Sequence, residues 1–376
     1  MTRLLLVASL VLAARTAAAY PQFELSKDQT CAGCHISPAG GGLLGENGLN
    51  TAEAISQYGT APEFMYGKLS LPDWLVLGGD LRGASGYLQT PQRYLVTIPM
   101  QADVYASALF GSFRAYVTVG YRPSQYINNV PNAQAPWSRE HYLMWKDDPA
   151  ATDGLYVRVG RFMPVFGLRF AEHIFYDRRF GGTQLYAETY GAAAEYVTSK
   201  YEGHLTAFVA DPLIDTVEHS SGLAAYGELR LDDQTAVGAE AMYAASPGDR
   251  KLRGGVTGKR YLSGPDVLVQ GELQVIDQMI PLGNSDGSTT YTYQLLGTAL
   301  ASWFPAQGWM VDVGVNYFNE NVRVHGVYRN AYDLNVHWFT SSHFEALLIA
   351  RWEPDDLRDP DQPTGAYAML MGHYRL

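Results

Sequence analysis

The chain has 376 residues and a formal net charge of −11, with 17% charged residues, 12% aromatic residues, 26 Tyr and 38 Gly. Polyanion binding needs a basic footprint that this acidic balance lacks, so a nucleic-acid partner is excluded. A soluble domain normally carries about a quarter charged residues; low charge with many Tyr and Gly fits a barrel that meets lipid outside and water inside.

In chain order, Arg3 gives a positive start, Leu4 to Ala14 form an unbroken apolar run, and Ala17-Ala18-Ala19 is a small-residue cleavage pattern. That run is too short to cross a bilayer as a helix. Residues 1–19 therefore read as a removed signal peptide, with Tyr20 as the mature N-terminus. No later stretch is apolar enough for a transmembrane helix.

The only cysteines lie in Cys31-Ala32-Gly33-Cys34-His35. In an exported chain two such thiols could form a disulfide, and a zinc site would need two more ligands at metal-like spacing. The His directly after the second Cys points instead to covalent attachment of haem c. Two thiols three positions apart on one turn can reach both vinyl groups of a porphyrin. His35 then comes beneath the iron as an axial ligand. Pro38 and Gly40-Gly41-Gly42 follow, either as a close backbone approach to a flat ligand or as a flexible loop. A short helix is expected over Thr51 to Gln57. Met65 is a candidate sixth iron ligand through its thioether, against the plainer role of packing. Residues 20–72 are too few for a sufficient core of their own, so this segment should fold around its haem inside the mouth of a larger body.

From residue 73 onward the pattern changes to period two. Val311, Val313, Val315 and Tyr317 alternate with Asp312, Gly314, Asn316 and Phe318, and Val267 to Val275 behave alike. Such alternation gives each set its own strand face, in a soluble sandwich as much as in a membrane barrel. Connection lengths decide between them. Strands are expected near 74–89, 97–110, 113–122, 140–147, 154–163, 184–198, 202–210 and 221–231. Eight more fall near 235–245, 251–262, 266–277, 289–304, 309–318, 328–339, 343–352 and 366–376. Tight turns such as Gly111-Ser112 and Pro305 to Gly308 alternate with longer connections such as 123–139, 164–183 and 353–365. Short periplasmic turns, long external loops and an even strand number mark an outer-membrane barrel. The expected fold is all-β: a transmembrane antiparallel barrel of about sixteen strands behind a short haem segment. The last strand, ending Tyr374-Arg375-Leu376, resembles the C-terminal assembly signal of outer-membrane proteins, with Leu376 where an aromatic residue is usual. Val157 to Gly167 resembles the porin segment that leads into a loop narrowing the lumen, or a plain strand and turn.

His204, His337 and His373 fall on polar strand faces near the periplasmic end, as iron-ligand candidates or as wetted side chains. Glu353 to Asp361 forms an acidic external stretch that could attract cations such as ferrous iron, or simply be solvated. No Ser/His/Asp arrangement, phosphate loop or acid–base pair for a conventional enzyme stands out.

The leader, the Cys31–His35 motif, the Pro38/Gly stretch and the following barrel together resemble the fused monohaem cytochrome–porin family of iron-oxidising bacteria. The resemblance implies Cys31 and Cys34 as thioether anchors and His35 as axial ligand. It also implies an electron path from an extracellular donor such as ferrous iron to a periplasmic cytochrome or other soluble carrier. Two other roles stay open: a diffusion porin gated by a haem plug, and a sheath for a separate multihaem cytochrome.

Overall fold

The computed structural model describes residues 21–89, 93–121, 138–184, 187–211, 220–281, 289–354 and 365–376. The expected signal peptide, residue 20, and the acidic stretch beyond Pro354 lie outside the described residues, as do 122–137, 212–219 and 282–288.

Sixteen antiparallel strands close into one barrel. The first eight are β1 Leu75–Gln89, β2 Arg93–Phe110, β3 Phe113–Tyr121, β4 His141–Lys146, β5 Gly154–Phe162, β6 Thr189–Val197, β7 Tyr201–Val209 and β8 Ser221–Asp232. The second eight are β9 Thr235–Ser246, β10 Asp249–Leu262, β11 Val267–Pro281, β12 Thr289–Ala306, β13 Trp309–Asn319, β14 Tyr328–Ser341, β15 Phe344–Glu353 and β16 Gly365–Arg375. Each strand pairs with its sequence neighbours, and β1 closes the ring on β16.

Alternation sets the faces. On β13, Val313 and Val315 point outward and are exposed, while Asp312 and Asn316 point into the lumen and are fully buried. Leu273 and Val275 of β11 are likewise exposed beside buried Glu272 and Gln274. An outward face of this kind belongs in lipid, and ring closure leaves no strand edge unpaired there.

The lumen is filled by two segments. The first is an N-terminal plug of short elements: α1 Gln22–Ser26, α2 Cys31–Cys34, α3 Glu46–Ile55 and a 3-10 turn at Phe64–Gly67. Helix α3 starts earlier than the expected Thr51. It also ends at Ile55 rather than Gln57, and the missing side chain of Gly48 lets the helix pack on the α2 backbone. The plug leaves the barrel along two tight turns. Gln57 N donates to Phe339 O at 2.8 Å, Tyr58 N to Thr340 O at 2.9 Å, and Gly308 N to Ile55 O at 2.9 Å. These are the short-turn ends of the strands, which places the plug at the periplasmic rim.

The second segment follows β5 and turns into the lumen. Phe166, Leu168, Phe170 and Phe175 are all buried, and the helix α4 Tyr176–Gly181 packs against β11, β12 and β13. Tyr176 N donates to Asn316 Oδ1 at 2.8 Å across the lumen. Of the two readings open for Val157 to Gly167, the inward one holds. Strand β6 accordingly begins at Thr189 rather than near 184, because the returning chain is still inside the barrel. Beside this loop the buried pairs Arg158–Glu195 at 2.7 Å and Arg161–Asp211 at 3.0 Å offset charges that would otherwise lie unpaired.

Candidate functional site

The plug encloses an open cleft of about 780 Å³ whose walls bring Cys31, Cys34 and His35 together. Local chemistry builds this corner. Thr30 caps α2, its hydroxyl accepting from Gly33 N at 3.0 Å. His35 N donates to Cys31 O at 2.9 Å, and an antiparallel bridge between His35 and Leu44 folds the glycine stretch back over the helix. Gly40 and Gly41 take left-handed φ values of 82° and 76°, which glycine reaches without Cβ strain. A Cβ on Gly41 would meet nothing within 4 Å. Gly40 and Gly41 thus line the cleft without side chains.

Apolar side chains make the opposite wall. Phe23 and Phe339 meet edge to face at 5.8 Å, with Leu44, Ala52 and Ile55 beside them. Cys31 and Cys34 are free thiols. Cys31 Sγ donates to Glu24 Oε1 at 2.9 Å, and burial pushes both thiols above their usual range. Burial, with Arg375 beside it, lowers His35 to about 4. At neutral pH the imidazole is thus uncharged and keeps a lone pair, the form that binds a metal. Its Nδ1 is buried without a hydrogen-bond partner among the described residues. An apolar slot, two thiols on one turn, a neutral imidazole and a glycine edge fit a covalently held haem c. Arg169 of the inward loop also lines the cleft and supplies a cation of the kind that pairs with propionates.

Buried charges moor the cleft to the wall. Lys259 of β10 contacts Glu24 of α1 and Glu228 of β8, the latter at 2.8 Å. Burial, the largest influence, works to raise the Glu24 carboxyl, but Lys259, Arg169 and the Cys31 hydrogen bond together hold it below the usual carboxylate range. Arg169 pairs with Glu202 of β7 and donates to Ala39 O at 3.2 Å. None of these partners is legible locally, since Glu24 and Lys259 lie 235 positions apart.

Other expected ligands fall elsewhere. Met65 takes a left-handed φ of 53°, is 44% exposed and does not line the cleft. The barrel histidines stand among carboxylates. His337 lies between Asp312 and Glu345, His373 between Asp80 and Glu345, and His204 between Glu195 and Glu202. None of the three lines the cleft.

Gly48 is a sensitive point. A Cβ there would come within 2.0 Å of Cys34 O. Gly48→Ala should push α3 off α2 at a cost of about 1–3 kcal/mol, while the barrel stays intact. Haem loading, read as the ratio of Soret to protein absorbance, should fall several-fold. Unchanged loading would separate α3 packing from the cleft.

No protein-family profile matches the chain, and no curated protein does. Solved structures do. The outer-membrane protein OmpT of Vibrio cholerae superposes with a TM-score of 0.60 at 11% identity, over 82% of this chain and 100% of that one. OprB of Pseudomonas putida gives 0.57 at 11% identity over 80% and 94%. An anion-selective porin from Comamonas acidovorans gives 0.56 at 10% identity over 80% and 99%. At such identities the likeness is one of fold: a porin-like sixteen-strand barrel. With its apolar outer face and closed ring, this is a barrel of the Gram-negative outer membrane.

Proposed function

We propose that the chain is an outer-membrane electron conduit. Cys31 and Cys34 would hold haem c through thioether bonds and His35 would ligate its iron, all three standing in the plug of a porin-like barrel. The observation that carries this reading is the placing of both thiols and a neutral imidazole in one apolar cleft inside the lumen. When bound, haem c supplies a centre that accepts and releases one electron. The chain's own residues do the rest. Phe23 and Phe339 make an apolar wall that excludes water from the cleft, Arg169 places a cation in its lining, and Lys259 ties the plug to the barrel wall. Following the resemblance to fused monohaem cytochrome–porins, ferrous iron is the external donor and a periplasmic cytochrome or other soluble carrier is the acceptor.

Plug and inward loop both occupy the lumen, which favours a conduit over an open diffusion porin and leaves little room to sheath a second cytochrome. Liposomes decide it. Protein reconstituted with an impermeant reductant outside and an oxidant inside should pass electrons inward through the haem with little ion or sugar flux. Large steady flux without redox coupling would establish the gated porin instead, and co-purification of a multihaem protein would establish the sheath.

A further inference from the structure

Behind the cleft wall lies a second cluster. Ligand atoms of Glu172, Asp312 and His337 all lie within 4.8 Å of one another. These residues are 7%, 0% and 0% exposed. They come from three parts of the fold: the inward loop, β13 and β14. The plug reaches the same spot, since Gln22 Nε2 of α1 lies 3.4 Å from Asp312 Oδ2.

Three oxygens here have no hydrogen-bond partner among the described residues: Glu172 Oε2, Asp312 Oδ1 and Gln22 Oε1. Buried oxygens, ionised ones above all, are costly to leave unsatisfied, and a cation would satisfy several at once. His337 is set for the same role. Glu345 Oε1 stands 2.6 Å from its Nδ1, and Nε2 faces Asp312 Oδ2 at 3.1 Å. A carboxylate behind one ring nitrogen fixes that nitrogen as the donor and turns the other lone pair toward a metal. Glu345 is braced in turn by His373 at 3.2 Å, and His373 by Asp80 at 3.0 Å. The ligand is therefore held by a relay across β14, β15, β16 and β1.

We propose that Glu172, Asp312 and His337 bind one divalent first-row transition cation where plug, inward loop and barrel wall meet. Carboxylates alone would suit Mg2+ or Ca2+; adding imidazole shifts the preference toward Fe2+, Mn2+ or Zn2+. The His337 ring packs on Phe339 with centroids 5.9 Å apart, and Phe339 lines the cleft. One side chain thus separates the cation seat from the proposed haem. Use of this seat by ferrous iron as electron donor rests on the conduit reading, whereas cation binding does not.

The test is a calorimetric titration of the purified full-length mature protein in detergent with Zn2+, which is redox-inert. The expected result is a single saturable equivalent, with affinity at least tenfold weaker in Asp312→Asn and in Glu172→Gln. Glu345→Gln, which touches the ring and not the cation, should weaken binding about 10–100-fold. Zn2+ should also raise the temperature at which the wild-type barrel loses its compact electrophoretic mobility, but not that of a folded Asp312→Asn. The absence of saturable binding in the wild type would overturn the site and leave His337 as a hydrogen-bonded link between Asp312 and Glu345. Equal affinity in both folded carboxamide variants would overturn it too. Zn2+ failure with an intact Soret band removes this site alone; Zn2+ binding without a Soret band removes the haem alone.

Discussion

Replacing Cys31 and Cys34 together by Ala should leave a folded barrel with at least a tenfold loss of haem that survives denaturing electrophoresis. The ring itself is built from β1 to β16 and needs no plug residue for its ladder, so barrel mobility serves as the folding control. His35→Gly is the companion: both thioethers remain, so haem stays on the denatured chain, but the low-spin spectrum is lost with the axial imidazole. A double alanine variant that keeps wild-type covalent haem would reject the anchoring role outright.

Lys259→Met should be the most damaging single change outside the cleft. Its ammonium sits between Glu24 and Glu228, and all three side chains are buried. Removing the cation leaves two carboxylates facing each other out of water, and breaking a buried pair in this way costs about 3–5 kcal/mol. Because Glu24 belongs to the plug and Glu228 to the wall, that cost falls on docking. Single-channel conductance should rise as the plug loosens, and Lys259→Met with Glu24→Gln should recover part of the block. Acid should act in the same direction. The Glu24 carboxyl is held below its ordinary value, so its contribution is complete above about pH 4.3, the ordinary glutamate value, and fades as pH falls below the lowered folded one. Conductance that is identical in wild type and Lys259→Met would show the plug to be held by other contacts.

What the sequence disclosed followed from local chemistry. Strand faces were readable because Val313 and Asp312 alternate within a few residues, and turn parity because Gly111-Ser112 and Gln307-Gly308 are short. The candidate haem anchors Cys31 and Cys34 could be named because one turn of chain holds both thiols and His35. Contacts formed by ring closure were invisible. His373 meets Asp80 across 293 positions, so a polar-face histidine could be named without its carboxylate partners. Spacing alone offered Met65 as a ligand, whereas its left-handed backbone and exposure set it apart from the cleft. The inward course of the loop after β5 depended on Glu272 and Asn316, far along the chain, accepting from its Leu168 and Tyr176 amides.

The cleft's position also governs which molecules it can serve. Phe339 and Ser341, which line it, belong to the final turn of β14 beside the periplasmic rim, and the inward loop roofs the space above. Under the proposed conduit reading, a reactant approaching from outside would have to descend most of the strands' length past the inward loop and the polar lumen face. Under that reading a hydrated ion would reach the cleft from outside without crossing the plug, whereas folded proteins and mineral surfaces would not reach it. On the periplasmic side no such descent is required, so under the proposed reading a carrier of protein size would dock there, and the two faces of the molecule would admit reactants of very different bulk.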